Sequence, residues 1–411
     1  MKTNHDLEKE VSEYLNYFCK ELPGRSVGSE GNQMATLFFR EALSSMSWSV
    51  ESTPLQVMDW MTEGAELTCE GRIFPVMSSP YSLGCNHDSE LAAAATIEEL
   101  EQGNFQNKII LLHGEIAQEQ IAPKNFVFWN PEMHQRIVRA LEQSGVKAII
   151  CATGRNSATT GGEYPFPLFE DGDFNIPSVF MTDVEGKKLL PLCGKKARLT
   201  SCANRFPETA YNVIGRKGRN PKKRIVVTAH IDAKKGTPGA IDNATGVIVL
   251  LLLADLLKYY RGEPVIELVA FNGEDYYAVP GQMQFITDNS NTMDDIVLNI
   301  NIDGAGYHTG LSTFSPFNLP ERIQPIFNKL IRETPEFMEG IPWVQGDHSI
   351  FVQYGRPAIA VSSQWLIENM ENQNVTHTPK DKPSIVNSQR LVEISIGLQK
   401  FIRELALQIK S

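Results

Sequence analysis

Several side chains in this 411-residue sequence could hold a metal ion or move a proton, and their spacing puts them at comparable places. The apolar run Ile225 to Ala229 is followed by His230 and Asp232, and the turn after it carries Asp242 and Asn243. Val265 to Phe271 leads to Glu274 and Asp275, Ile296 to Ile302 leads to Asp303, and a loop ahead of the last helical stretch carries His377. Imidazole nitrogen and carboxylate oxygen are the ligands zinc accepts where no thiolate is offered. Each residue alone also has a plain structural reading, as a satisfied core histidine, a turn residue or a helix cap. A parallel sheet would gather all five places at one edge, and five coincidences there are improbable.

The chemistry fits the spacing. Residues two apart on a strand share a face, so Asp232 can lie behind His230 and accept its second ring proton, fixing the ligating tautomer. Glu274 and Asp275 cannot easily point at one atom; one can ligate metal while the other acts as general base toward water. Asp242, at a helix amino terminus, is favoured in its ionised form, which suits an anion shared between two cations. Two ions about 3.5–4 Å apart would acidify a water and polarise a scissile carbonyl, giving hydrolysis without a covalent enzyme intermediate.

The elements that must position these residues can be read from periodicity. After residue 224, apolar runs alternate with helical patterns: 225–229, helix 244–260, 265–271, helix 281–287, 296–302, helix 321–333, 357–362 and helix 388–409. That alternation predicts an α/β fold with a mostly parallel sheet covered by helices on both faces, and its ligand site beyond the carboxyl ends of the strands. Near the start, 6–21 and 32–45 read as helices and 48–57 as a strand. From residue 58 the character changes to short runs such as Lys108 to His113, Lys147 to Cys151 and Ile176 to Met181, with a helix near 131–143, as in a smaller inserted α/β domain. Residues 154–173 read as a long exposed loop, and the basic stretch 216–224 as a solvated hairpin.

In combination, the blocks Ala229-His-Ile-Asp232, Gly239-Ala-Ile-Asp-Asn-Ala-Thr-Gly246, Phe271-Asn-Gly-Glu-Asp275, Asn301-Ile-Asp-Gly304 and Thr376-His-Thr-Pro379 resemble the M28 family of zinc aminopeptidases. The resemblance covers residues 205–411. It implies two zinc ions per chain, with His230 and Asp303 on one, Asp275 and His377 on the other, Asp242 bridging, Glu274 as general base and Asp232 supporting His230. Gly24 to Asn32 is similar to the family's opening segment. This implies a discontinuous catalytic domain, 1–57 with 204–411, and an inserted domain over 58–203 similar to a protease-associated domain. The family usually has Glu-Glu where this chain has Glu274-Asp275. Tyr307, Trp343, Asp347 and His348 are candidates for the substrate pocket.

Composition narrows the partners. Hydrophobic residues at 42% and charged residues at 21% are those of an ordinary globular protein. A net charge of −11 argues against binding nucleic acid, which needs Lys and Arg to release counterions. The apolar stretch Val247 to Ala254 is too short to span a bilayer, no secretory signal is visible, and six cysteines lie without a C-x-x-C pair, so a cytoplasmic protein with free thiols is expected. Peptides are the expected partners. A single-zinc glutaminyl cyclase and a carboxypeptidase or dipeptidase of the same fold are the competing readings, since metal chemistry does not set which chain end is held. A receptor-like protein that keeps the fold without catalysis would be expected to have lost ligands or the base.

Overall fold

A computed structural model describes residues 2–155, 164–370 and 373–409. The chain forms two compact units, Met1–Val57 with Thr209–Ser411, and Met58–Glu208. It passes between them in two long strands, Ser49–Cys69 and Lys196–Lys217.

The first unit is built on a sheet whose centre is four parallel strands, in the order Ala358–Ser363, Ile296–Ile302, Asn220–His230 and Pro264–Phe271. Apart from the polar start of Asn220–His230, these strands are almost wholly buried, so their sequences are mostly apolar rather than alternating. Antiparallel neighbours close both sides: Ser312–Phe317 beside Ala358–Ser363, and residues 213–217 beside Pro264–Phe271. The short strand Phe337–Glu339 adds to the outside of Ser312–Phe317. Periodicity had not marked these last two, because Ser312–Phe317 is interrupted by Pro316 and Phe337–Glu339 is three residues long.

Helices cover both faces. Helix Thr245–Leu256 is apolar on every side and buried from Thr245 to Ala254, as a helix enclosed by other elements must be. It packs against helices Ser388–Gln408 and Asn4–Asn16. The latter is fixed at its start by a capping box in which Thr3 and Asp6 exchange hydrogen bonds. Elsewhere Phe285, on helix Pro280–Asp288, sits between Phe271 and Phe351, with ring centres 5.3 and 5.4 Å away.

The basic stretch 216–224 is neither a hairpin nor simply solvated: the strands it joins, Lys196–Lys217 and Asn220–His230, are separated in the sheet by Pro264–Phe271. Arg216 and Arg224 converge on Glu267, which is 1% exposed, at 2.8 and 3.3 Å, and Lys217 is buried with its ammonium on two backbone carbonyls. The buried carboxylate on the neighbouring strand recruits these cations, a partner no local charge count reveals.

The second unit has its own parallel strands, Cys85–Ala94, Ile109–Leu112, Ala148–Thr153 and Ser178–Thr182, with Met77–Ser78 and residues 196–201 antiparallel at the sides. Helices Ile97–Gln102, Glu132–Ser144 and Asp183–Leu189 accompany them, and two separate apolar clusters form its core. The expectation of an exposed loop over 154–173 is wrong where the structure describes it. Phe166, Leu168 and Phe169 are buried in one of those clusters, and Phe166 exchanges hydrogen bonds with the Thr153 hydroxyl. Residues 156–163 of that stretch lie outside the described residues. All six cysteines are free, and among the described residues no helix is long and apolar enough to cross a membrane.

Candidate metal centre

The carboxyl ends of the parallel strands in the first unit bring the predicted residues together. His230 ends its strand fully buried, and Asp303 follows the neighbouring strand, its N–H donating to Val361 O at 2.9 Å. Asp242 lies in the turn before helix Thr245–Leu256, next to Asn243, whose amide donates to Ile302 O at 2.8 Å and accepts from Gly246 N–H at 3.0 Å. His377 takes a left-handed backbone conformation, φ 60°, in a loop tied by the Thr378 hydroxyl to Val375 O.

Two ligand groups result, His230 with Asp242 and Asp303, and Asp242 with Asp275 and His377. The Asp242 carboxylate belongs to both. Its Oδ1 is 3.1 Å from His230 Nε2 and its Oδ2 is 3.0 Å from His377 Nε2. Asp303 Oδ1 lies 3.6 Å from His230 Nε2, and Asp275 Oδ1 lies 3.0 Å from His377 Nε2.

Whether these groups fit a metal can be judged from their own polar atoms. Both ring nitrogens of His230, Nδ1 of His377 and Oδ2 of Asp275 are buried without a hydrogen-bond partner, a state proteins rarely tolerate without an ion or water. Burial opposes a charge on His230, yet the carboxylates of Asp232, Asp242 and Asp303 outweigh it and hold the imidazole well above its ordinary pKa. Burial likewise opposes charge on His377, and Asp275 and Asp242 outweigh it. The place that draws a proton onto each Nε2 is the place a cation would occupy. The donor set fits zinc.

Glu274 is partly exposed and its carboxyl is held well above the usual carboxylate range by burial, with Asp303, Asp275 and Asp347 adding to the shift and His230 opposing it. Asp232 does not make the hydrogen bond to His230 that the strand geometry suggested. Its Oδ1 is 3.6 Å from His230 Nδ1, beyond hydrogen-bonding distance. Its two oxygens instead accept the backbone N–H groups of Gly273, Glu274 and Asp275 at 2.8, 3.2 and 3.0 Å. Asp232 therefore holds the loop that carries both neighbouring carboxylates.

The four pocket candidates separate. Tyr307 is half-buried and stacks on Trp365, ring centres 3.9 Å apart. Trp343, Asp347 and His348 form one packed group. His348 Nε2 lies 2.8 Å from Trp343 O, and burial pushes its pKa down to about 4. Asp347 accepts from Gln282 Nε2 at 2.7 Å and is pushed up to about 7, by burial first and by Asp303 and Asp232 after it. Both are buried, so neither lines an open surface. The group borders the ligands: a Cβ on Gly346 would come 3.2 Å from Asp303 Oδ2.

Residues 212–402 match the family model described as Peptidase family M28. That segment belongs to family M28. It contains His230, Asp232, Asp242, Glu274, Asp275, Asp303 and His377. Over 137 residues the chain is 30% identical to aminopeptidase YwaD of Bacillus subtilis (strain 168), a stretch covering 33% of this chain and 29% of that relative's length. Among solved structures, an aminopeptidase from Aneurinibacillus sp. strain AM-1 is similar at TM-score 0.75 and 19% identity, covering 97% of this chain and 95% of that one. BSAP, a zinc aminopeptidase from Bacillus subtilis, is similar at TM-score 0.73 and 18% identity, covering 97% and 94%. At such identities the likeness is one of fold.

Around this M28 site the structure adds residues that sequence reasoning did not single out. Arg25, Asn32, Asn272 and Asp381 are all buried against the ligand loops. Asn32 and Asn272 exchange side-chain amide hydrogen bonds at 2.9 and 3.0 Å, tying the amino-terminal segment to the start of the Gly273–Asp275 loop. Arg25, Asn32 and Asn272 lie inside blocks already noted and Asp381 just after one, but nothing marked their roles, because a side chain that serves backbone groups has no characteristic spacing.

Proposed function

We propose that the chain is a di-zinc metallopeptidase that removes amino-terminal residues from peptides. The observation that carries this is the Asp242 carboxylate, which places one oxygen in each of two ligand groups. His230 and Asp303 would hold one ion, Asp275 and His377 the other, with Asp242 shared. Zinc bound there supplies polarisation of the peptide carbonyl and acidification of water. Glu274 accepts a proton from the attacking water and returns it to the departing amine as the C–N bond breaks; burial and neighbouring carboxylates raise its affinity for that proton. Asp232 keeps the Glu274 backbone in place through its N–H. Similarity to an aminopeptidase over 137 residues supports attack at the amino-terminal end of a peptide. We read 58–203 as an inserted domain of the protease-associated type, supported by its separate cores and parallel strands.

The test is elemental analysis of the purified chain together with amino-acid release from free and amino-blocked peptides, with and without chelator. Two zinc ions and chelator-sensitive cleavage of unblocked peptides alone are expected. One zinc with ammonia release from amino-terminal Gln would replace this reading with a cyclase. Cleavage of amino-blocked peptides from the carboxyl end would replace it with a carboxypeptidase.

A further inference from the structure

The loop that delivers Asp242 is held from two sides by residues that touch no metal-type ligand atom. Arg25 is 2% exposed, and its guanidinium donates to four backbone carbonyls: Phe18 O at 2.7 Å, Ile231 O at 3.1 Å, Pro238 O at 2.9 Å and Gly239 O at 2.7 Å. No carboxylate pairs with it among the described residues. A buried cation that hydrogen-bonds carbonyls and touches no carboxylate loses its hydration without a contacting counter-charge, so its benefit lies in where it fixes those carbonyls. Ile231 sits between His230 and Asp232, while Pro238 and Gly239 run directly into the turn of Asp242. The fit is close: Gly239 has φ 60°, and a Cβ there would meet Arg25 Nη2 at 2.8 Å.

From the other side Asp381, fully buried, accepts the N–H of Ile241 on Oδ1 at 2.7 Å and the N–H of Asp242 on Oδ2 at 3.0 Å. Its own carbonyl accepts the N–H of Ala240 at 3.3 Å, and its N–H donates to Thr378 O at 3.1 Å. Asp381 follows His377 by four residues, so the same carboxylate sets the turn of Asp242 relative to the loop of His377. The segment 238–242 thus has its carbonyls held by Arg25 and its amides held by Asp381.

We propose that Arg25 and Asp381 are positioning residues that fix the Asp242 carboxylate between the two ligand groups, so that both oxygens reach their ions without rearrangement. This rests on the di-zinc reading above. Ligand atoms pre-set in this way bind tighter than ligands that must be ordered by the ion, and residues supporting ligands typically contribute about 10–100-fold in metal affinity.

The experiment titrates the zinc-free full chain with zinc against a chromophoric chelator, comparing wild type with Asp381→Asn. Asn keeps the shape and one acceptor oxygen but turns an NH2 toward a backbone N–H. Zinc affinity is expected to fall about 10–100-fold. Arg25→Lys, which keeps the charge but not the planar fork, is expected to fall likewise and decides the matter if Asp381→Asn does not fold. Leu405→Ala, a core truncation in helix Ser388–Gln408, should lower the melting temperature and leave zinc affinity unchanged, which separates positioning from general destabilisation. If wild type takes up two ions and a folded Asp381→Asn binds zinc as wild type does, the inference falls and the di-zinc reading stands. If wild type takes up fewer than two, the di-zinc reading falls and the inference with it.

Discussion

Each unit contains four adjacent parallel strands, and the polar residues just beyond those strands are used in opposite ways. In the second unit they are spent locally. Thr96 and Thr182 cap the helices that follow, Thr153 donates to Phe166 O, and Asp183 is held by Tyr164 and Lys187. In the first unit they converge with unsatisfied atoms, and among the described residues the metal-type groups lie only there. The buried histidines make the same point. His134 in the second unit accepts the Ala122 N–H on Nδ1 at 3.0 Å and meets Glu119 with Nε2 at 3.2 Å, whereas neither ring nitrogen of His230 has a hydrogen-bond partner. Topology offers an edge in both units; only completed or incompleted hydrogen bonding distinguishes a scaffold from a site.

The largest effect that would break this contrast belongs to Glu274. With zinc bound, Glu274→Gln keeps the shape but cannot accept the proton, and turnover should fall about 10²–10⁴-fold with zinc content unchanged. Steady-state rates and elemental analysis on one preparation measure both. Retained turnover would show that the edge holds metal but that its proton transfer lies elsewhere.

Metal removal sharpens the comparison in stability rather than rate. Zinc held at about 100 times its dissociation constant stabilises the unit that binds it by about 2.7 kcal/mol. Calorimetry of the chelated and loaded chain should show a transition that moves, assigned to the first unit, and one that stays, assigned to the second. A second-unit transition that moves equally would mean its strand ends are not the inert edge they look like.

Much of this contrast was legible in the sequence, and the part that was not has a physical reason. His230, Asp242, Asp275, Asp303 and His377 could be found because ligands must follow strands, and strands announce themselves by apolar runs. The roles of Arg25 and Asp381 could not be, because apart from Phe18 their side-chain partners are backbone carbonyls and amides 139 to 214 residues away, which leave no trace in residue type. Asp232 was placed correctly next to His230, but its three amide partners come from a loop 41 to 43 residues on. The buried run around Phe166 was hidden by the Gly and Thr residues preceding it.

Replacing His134 probes the satisfied side of the comparison. His134→Ala leaves the Ala122 N–H buried without an acceptor and should destabilise the second unit by about 1–3 kcal/mol, read as a lower denaturation midpoint. Zinc affinity and turnover at saturating metal should not change. A loss of either would give this histidine a role its hydrogen bonds do not suggest.

The smallest expected effect concerns reach at the ligand edge itself. Asp275 stands where the family usually carries Glu, and a shorter side chain could leave the second ion loosely held. The structure argues otherwise. Asp232 accepts the Asp275 N–H at 3.0 Å and so draws the backbone toward the site, and Asp275 Oδ1 already lies 3.0 Å from His377 Nε2. An added methylene would push the carboxylate into that gap, and the buried position leaves little room for it to fold back. If two zinc ions are held as proposed, Asp275→Glu should therefore weaken the second by up to about tenfold, or 1.4 kcal/mol, and leave the first unchanged. A stepwise zinc titration resolves the two. Tighter binding in the variant would mean that reach limits the native site, and that the backbone held by Asp232 does not compensate for the shorter side chain.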